Sequence, residues 1–223
     1  MRQTELQFPE QYEARAAAGT NAETLSAVQR LNRAWRERPD RFAEDFLGLT
    51  PWPRQREILL ALARHPRVTV RSGHGVGKSA VAAAAVIWFL LLHDPAIVLT
   101  TAPTARQVDQ VLWGEIRHLA GRCAYLRGLG TLNRTEWRLG PRRFALGLST
   151  NESDRFQGFH SPNILVVIDE AAGVDGEIYE AVLGVITSEN ARLLLIGNPT
   201  TPYGFFYDSH RPGSGFRRIH VSS

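Results

Sequence analysis

The stretch Ser72-Gly73-His74-Gly75-Val76-Gly77-Lys78-Ser79 decides the fold of this chain. A β-branched run, Val68 to Val70, precedes it, and an Ala-rich segment that reaches Leu92 follows it. The pattern predicts a strand, a glycine-rich loop and a helix, in that order. Such a loop turns its backbone N–H groups inward, and the first turn of the helix adds partial positive charge. We expect it to bind nucleotide phosphates, with Lys78 on the β- and γ-phosphates and the Ser79 hydroxyl on Mg²⁺.

This Walker A pattern departs from the usual one at Ser72, which stands where the first glycine normally lies. Lys78 is the only lysine among 223 residues, whereas 25 residues are arginine. Because arginine and lysine differ in shape and hydration, a single retained lysine indicates a position where arginine does not serve. A chance glycine-rich turn is the alternative, but it does not explain the strand–loop–helix context that the motif requires.

A second pattern with chemical meaning is the apolar run Ile164 to Ile168, which ends in Asp169-Glu170. Four of its five residues are β-branched, which is typical of a buried parallel strand. Ligands of open α/β sheets gather at the carboxyl ends of strands, so Asp169 is predicted to hold Mg²⁺ and Glu170 to act as general base on the attacking water. A capped helix start is the alternative for this segment taken alone.

Two polar residues are weaker candidates. Asn198 follows the apolar run Leu193 to Ile196 and is predicted either to sense the γ-phosphate or to form an Asn-Pro turn. Gln55, after Trp52-Pro53-Arg54, is predicted either to hydrogen-bond the adenine edge or to be a surface residue.

The remaining pattern predicts helices near the amino end, around 21–37, through Phe42 and Phe46, and from Pro53, and then alternating strands and helices. Thr104 and Gln107 are predicted to form a capping box at the start of one of these helices. We expect an α/β fold of the additional-strand P-loop ATPase type, with a mainly parallel sheet covered by helices on both faces. Residues 1–47 are predicted to form a small helical, lid-like segment, and residues 48–223 the ATPase core.

Composition narrows the class of protein. The first 20 residues carry charges and no apolar core of a signal peptide, and the longest apolar run is too short to span a bilayer. A single cysteine, Cys123, excludes an internal disulfide. The balance of charge is +8 over residues 1–150 and −4 over residues 151–223. A soluble protein is therefore expected, and its basic front half suits a polyanionic partner.

Together these segments resemble the ATPase domain of the large terminase subunit, the motor that packages DNA into capsids of tailed-phage and herpesvirus type. The resemblance covers roughly residues 48–223, and it rests on the P-loop and on five further segments, Pro51-Trp52-Pro53-Arg54-Gln55, Thr101-Ala102-Pro103-Thr104 with Gln107, Phe156-Gln157-Gly158-Phe159-His160, Ile168-Asp169-Glu170-Ala171 and Ile196-Gly197-Asn198-Pro199-Thr200.

The resemblance implies a RecA-like fold, ATP and Mg²⁺ as cofactors, and Asn198 as part of a coupling motif. It also implies double-stranded DNA, a homo-oligomeric ring, a portal protein and a small terminase subunit as partners, no membrane, and the host cytoplasm as location. Many members carry an arginine within Walker A, where this chain has His74. An Arg-Gly pair before Walker B often acts in trans; here Arg155 stands near that position and is the candidate. A surface arginine paired with Asp154 or Glu152 is the alternative for Arg155.

Large terminases usually continue into a nuclease domain. No second acidic constellation is visible in this sequence, so no nuclease activity is predicted for these residues. A helicase-like nucleic-acid translocase is the alternative function, but its second RecA-like lobe does not fit into 223 residues. A nucleotide-dependent switch module is a third possibility, against which Glu170 argues, since a switch gains little from a built-in base.

Overall fold

The computed structural model describes residues 22–149, 156 and 158–222, with side chains from residue 29 onward. Its helices are α1 (Ala22–Glu37), α2 (Pro39–Asp45), α3 (Pro53–Arg64), α4 (Lys78–Leu92), α5 (Trp113–Arg122), α6 (Gly176–Val185) and α7 (Phe205–Ser209). Its strands are β1 (Arg67–Ser72), β2 (Ala96–Ala102), β3 (Thr131–Leu132), β4 (Glu136–Gly140), β5 (Arg143–Ser149), β6 (Asn163–Asp169), β7 (Asn190–Gly197) and β8 (Arg217–Val221).

All eight strands belong to one sheet in the order β3-β4-β5-β2-β6-β7-β1-β8. From β5 to β8 every neighbouring pair is parallel, whereas β3 and β4 add antiparallel pairs at one edge. Strand β7 lies between the Walker B strand β6 and the P-loop strand β1. An inserted strand at this position is the additional-strand arrangement, so the predicted fold class is confirmed.

Helices cover both faces of the sheet. Along β6, Leu165 and Val167 face a core shared with α1 to α5, whereas Val166 and Ile168 face a second core shared with α6 and α7. Alternation of this kind is what a strand buried on both faces requires, and it explains why the run reads as continuously apolar.

Helix α4 is the hub of the first core. Its residues from Val81 to Leu90 are all buried, and the helix is apolar on every side because it lies between the sheet and the other helices. The indole N–H of Trp88 donates to the Trp35 carbonyl at 2.9 Å, which ties α1 to α4. Phe42 and Leu47 belong to the same core. The predicted boundary at residue 47 therefore lies within one continuous set of apolar contacts, and it stays a prediction.

Three local features differ from the sequence-based expectations. The helix after β2 contains a π-helical segment, Gln107–Leu112, before α5. At its start the Thr104 hydroxyl accepts the Gln107 N–H at 3.2 Å and donates to the Gln107 side chain at 2.8 Å, so only half of the predicted capping box forms. Helix α7 was not predicted.

No helix in the described part of the chain combines the length and the apolar character needed to cross a membrane.

Candidate functional site

The residues singled out by sequence meet at the carboxyl edge of the sheet. Strands β1, β6 and β7 run parallel and end side by side, and Asp169 is opposite Ile196 in the register of β6 and β7. The P-loop leaves β1, Glu170 leaves β6, and Asn198 leaves β7. Three segments that are far apart in sequence thus form one site, at the edge where ligands of parallel sheets bind.

Lys78 is the centre of this site. Its ammonium nitrogen lies 3.0 Å from the Gly73 carbonyl oxygen, 2.9 Å from Asn198 Oδ1 and 3.4 Å from Glu170 Oε1. A lysine ammonium has three N–H donors, so each donor faces one acceptor of the protein. The side chain is only 9% exposed, which shields the group from bulk water.

Two P-loop glycines have backbone angles that favour glycine. Gly75 and Gly77 lie at φ 72° and 73°, in the left-handed region. A Cβ atom on Gly77 would also lie 2.5 Å from the side-chain nitrogen of Gln55. The turn at Gly77 therefore depends on glycine for two reasons, the dihedral angle and the close approach of Gln55.

Gln55 supports the P-loop from behind. Its Nε2 donates to the Gly77 carbonyl at 3.1 Å, and its Oε1 accepts the Trp52 backbone N–H at 3.2 Å. The indole N–H of Trp52 donates to the Val76 carbonyl at 3.3 Å, which adds a second link between α3 and the loop. Gln55 is 7% exposed, so the surface-residue alternative is wrong. Its predicted contact with adenine stays a prediction.

Asp169 is a buried carboxylate. It is 1% exposed, and its Oδ1 accepts the Glu170 backbone N–H at 2.9 Å. Burial raises the pKa of Asp169 to about 6, and the negative charge of Glu170 adds to the rise, while the Glu170 N–H and the charge of Lys78 oppose it. A carboxylate in this position is under-compensated, and a divalent cation beside it would relieve that cost.

Glu170 adopts a strained backbone conformation. Its φ of 46° and ψ of 46° place it in the left-handed region, and it is the only described residue other than glycine with a positive φ. Its side chain is 32% exposed and reaches Lys78. The neighbouring strand makes room for this turn, because a Cβ on Gly197 would lie 2.8 Å from Ala171 N and 3.1 Å from the Glu170 carbonyl carbon. Strain of this kind at the end of a strand is frequent in functional sites.

Asn198 connects three parts of the site. Besides accepting from Lys78, its amide nitrogen lies 2.8 Å from His74 Nε2, and its backbone N–H lies 3.5 Å from Glu170 Oε2. The same amide nitrogen lies 3.3 Å from His74 Nδ1, so it faces both nitrogens of the imidazole ring. The His74–Asn198 contact was not predicted, since no local pattern links residues on two different strands' loops.

The residues available for Mg²⁺ are few. Ser79 follows Lys78 in the first turn of α4, and its hydroxyl has no hydrogen bond to another described residue. No group of three or more His, Cys, Asp or Glu side chains suited to a metal occurs in the described part of the chain. Mg²⁺ in nucleotide sites needs only one or two protein ligands, because phosphates and water supply the rest. Ser79 and Asp169 fit that requirement.

Two further predicted residues complete the account. Ser72 is 2% exposed, and its hydroxyl has no hydrogen-bond partner within the described residues, although it begins the P-loop. Arg155 lies outside the described residues.

Comparison with known proteins points to one group. No model of a known protein family matches this chain. A curated protein, "Probable terminase, large subunit" of Enterobacteria phage P7, is 29% identical over 187 residues, which cover 77% of this chain and 38% of that protein. The chain thus spans well under half the length of this relative.

Several solved structures of large terminases share the fold of this chain. The large terminase ATPase domain of Thermus phage P74-26 superposes with a TM-score of 0.64 at 20% identity, covering 82% of this chain and 86% of that one. The large terminase of bacteriophage HK97 gives 0.62 at 17% identity, covering 83% and 43%. A large terminase of a thermophilic bacteriophage in complex with ADP gives 0.61 at 14% identity, covering 75% and 44%. These likenesses establish the fold.

Proposed function

We propose that this chain is the ATP-hydrolysing motor domain of a phage large terminase and drives the translocation of double-stranded DNA into a procapsid. The observation that carries the proposal is the meeting of Lys78, Glu170 and Asn198 at the carboxyl edge of an additional-strand sheet. The similarity to a large terminase subunit and the shared fold with large terminase ATPase domains support it.

In this proposal the P-loop binds the phosphates of ATP. The N–H groups of the loop residues surround the β-phosphate, and Lys78 moves from its protein acceptors to phosphate oxygens. Asp169 and Ser79 would hold Mg²⁺, which neutralises part of the charge on the phosphates when bound. A large terminase of similar fold was solved in complex with ADP, which supports nucleotide binding. The members of the loop are Ser72, Gly73, His74, Gly75, Val76, Gly77, Lys78 and Ser79.

Glu170 is the proposed general base. In the present arrangement its carboxylate pairs with Lys78 at 3.4 Å, so it is not free to orient a water molecule. A phosphate oxygen that takes over the Lys78 ammonium would release Glu170 for this task. ATP binding and activation of the base would then be one event, because both depend on the same lysine.

Asn198 is the proposed sensor of the γ-phosphate. It shares Lys78 with Glu170, so a phosphate that claims the lysine also changes the surroundings of Asn198. Asn198 also contacts His74 and the Glu170 side chain, so a shift of Asn198 would be transmitted to both residues. Movement of the segment after β7 is the proposed coupling step.

The proposal extends to wider features of the motor. We propose Arg155 as an arginine finger for a neighbouring subunit in a homo-oligomeric ring, with a portal protein and a small terminase subunit as further partners and the host cytoplasm as the place of action. The domain boundary at residue 47 and the adenine contact of Gln55 belong to the same proposal.

The test measures phosphate release from ATP by the protein alone, with double-stranded DNA and with single-stranded DNA, and Lys78→Ala is the control for contaminating ATPases. Mg²⁺-dependent turnover that double-stranded DNA raises is expected. Stimulation by single-stranded DNA alone favours a helicase-like translocase, and no turnover under any condition contradicts the proposal.

A further inference from the structure

A second cleft lies at the carboxyl edge of the sheet, on the face covered by α6 and α7. Its volume is about 540 Å³, within the range of ligand sites, and its walls are the loop after β7, the α7 helix and the turn that follows it. Arg71, at the end of β1, points into it because Val70 and Ser72 face the other side of the sheet. The polar lining consists of Arg71, Thr200, Thr201, Tyr207, His210 and Arg211.

The charge of this cleft is positive and poorly compensated. Arg71 is exposed, and no described carboxylate lies within ion-pair distance of it. Arg211 is 67% exposed, and Asp208, its one carboxylate partner among the described residues, lies 3.5 Å away and is 59% exposed. An exposed pair of this kind contributes little and leaves the guanidinium available to a ligand. Arg218 on the edge strand β8 lies beside the cleft, where its guanidinium donates to the His210 carbonyl at 3.2 Å.

His210 shows the effect of these charges. Burial, and to a lesser extent the charges of Arg71, Arg218 and His220, lower the pKa of His210 to about 4. Its ring therefore stays neutral near pH 7 and is held by the Thr69 hydroxyl at 2.9 Å from Nε2. His210 therefore lines the cleft as a neutral side chain, and the positive charge of the cleft comes from the arginines.

This combination matches the chemistry of a phosphodiester. Guanidinium groups bind phosphate oxygens in a bidentate manner, and threonine hydroxyls add donors. Tyr207 is 43% exposed and offers an aromatic face beside Arg211, whose guanidinium carbon lies 5.9 Å from the ring centroid. We propose that the cleft binds the phosphate backbone of the translocated double-stranded DNA, with Arg71 and Arg211 as its phosphate ligands. This inference rests on the proposed function.

The position of the cleft links DNA to the nucleotide site. Arg71 directly precedes Ser72, the first P-loop residue, and Pro199 in the cleft directly follows Asn198, which contacts Lys78. A phosphate group held in the cleft therefore contacts residues adjacent to both the P-loop and the γ-phosphate sensor. Backbone contact without base contact also suits a motor that must move any sequence.

The experiment measures the binding of a fluorescently labelled duplex of mixed sequence by anisotropy over a series of salt concentrations. Each lost phosphate contact reduces the slope of log affinity against log salt by about 0.9. Arg71→Gln and Arg211→Gln are each expected to reduce the slope by that amount, and the double variant by about twice as much. Arg71→Lys retains the charge and is expected to keep most of the slope.

Arg142→Gln is the matched control. Arg142 is exposed, lines a smaller cleft of about 360 Å³ and lies beside Arg143 at the amino end of β5, at the opposite edge of the sheet. It changes the net charge of the protein by the same amount, so it separates local contact from overall charge. Because Arg211 is on the surface, Arg211→Gln is expected to fold even if Arg71→Gln does not.

The outcomes are distinct. If the wild type binds the duplex and both variants behave like Arg142→Gln, the cleft is not the contact site and the inference is wrong. If the wild type does not bind duplex at low salt, the proposed function itself fails. Inorganic triphosphate is tested as a competitor of the duplex. If it displaces the duplex, and if Arg211→Gln weakens the binding of triphosphate as much as that of the duplex, the cleft binds free polyphosphate and the assignment to DNA is overturned.

Discussion

At the scale of single residues, the contacts of Lys78 explain why the lone lysine is retained. Its compact ammonium lies between the Gly73 carbonyl, Asn198 and Glu170, at 2.9 to 3.4 Å from each. The planar, wider guanidinium of arginine does not match three acceptors grouped around one point. In the proposed function, phosphate oxygens replace these three acceptors, and a compact ammonium can exchange one set of acceptors for the other.

Lys78→Arg is therefore expected to lower ATP turnover nearly as much as Lys78→Ala. Phosphate release measured at saturating ATP and Mg²⁺ gives the comparison. Melting temperatures of both variants near that of the wild type would exclude unfolding as the cause. Near-normal turnover by Lys78→Arg would contradict the interpretation of the lone lysine.

The two Walker B carboxylates are expected to fail in different ways. Glu170→Gln keeps the shape and one acceptor oxygen but removes the proposed base, so nucleotide binding is expected to be retained and turnover to drop by about 10²–10⁴. Asp169→Asn is expected to weaken nucleotide binding only when Mg²⁺ is present. Binding of a fluorescent ATP analogue with and without Mg²⁺ separates the two. An equal binding defect in both variants would contradict this division of roles.

Sequence motifs predicted the residues that meet at the candidate site but not the partners of these residues. Lys78, Asp169 and Glu170 follow from local patterns, because strand–loop–helix spacing alone positions them. The Gln55 bonds to Trp52 and Gly77, and the His74–Asn198 contact, join segments that meet only after the sheet has assembled. No pattern along the chain encodes such pairs.

At the scale of elements, the contact between β6 and β7 controls the position of Glu170. The backbone at Glu170 and Ala171 turns directly against Gly197, where a Cβ would lie 2.8 Å from Ala171 N. Backbone atoms cannot yield as a flexible side chain would. Glycine at the end of β7 is thus a condition for the strained turn after β6.

Gly197→Ala is expected to destabilise the protein by about 1–3 kcal/mol through overpacking and to lower turnover by displacing Glu170. Denaturant unfolding and phosphate release measure the two effects. Gly184→Ala is the matched control, because Gly184 lies in α6 and no atom lies within 4 Å of its added Cβ. It is expected to change stability by less than about 1 kcal/mol, toward greater stability, with turnover retained. Equal effects of both substitutions would contradict the argument.

Apolar runs predicted the strands well, since a strand buried on both faces needs a continuous apolar sequence. The π-helical segment has an extra residue per turn, so a pattern with a 3.6-residue period does not predict it. Within this segment, Asp109 Oδ2 accepts a hydrogen bond from Arg134 Nε at 2.7 Å. Helix α7 has only five residues, too few for a periodic signal.

At the scale of the whole molecule, the rate of ATP hydrolysis depends on the neighbouring subunit of the proposed ring if Arg155 acts in trans. An arginine from a neighbour is worth about 10³–10⁵ in rate, because Lys78 and Mg²⁺ neutralise only part of the charge on the γ-phosphate. The test mixes inactive Glu170→Gln subunits, which retain Arg155, with Arg155→Ala subunits, which retain the pocket. Restored turnover is expected. Normal turnover by assembled Arg155→Ala subunits alone would contradict the proposal. It would favour the alternative, in which Arg155 pairs with Asp154 or Glu152.

The stability of the whole molecule is expected to fall in mild acid, and His93 is one cause. Its ring stacks on Phe89 at 4.2 Å between centroids and meets Trp88 edge-on at 5.7 Å. Burial lowers the pKa of His93 to about 4, and Arg36, Arg192 and Arg143 add to the shift, while the Phe89 carbonyl opposes it. In the unfolded chain the pKa of histidine is about 6.5.

Because the folded pKa is the lower one, the unfolded chain takes up a proton first. The stabilisation from neutral His93 is complete above about pH 6.5 and is lost as the pH falls toward 4. From about pH 7.5 to 5 the loss is about 2 kcal/mol per such histidine. His93→Gln is not protonated, so its free energy of unfolding is expected to fall by that much less over the same range, measured by urea unfolding. His210, whose pKa is also lowered to about 4, supplies a second share, so the variant retains part of the dependence. His118→Gln is the control. If the free energy of unfolding of His93→Gln depended on pH as steeply as that of the wild type, the argument from a buried, neutral His93 would be wrong.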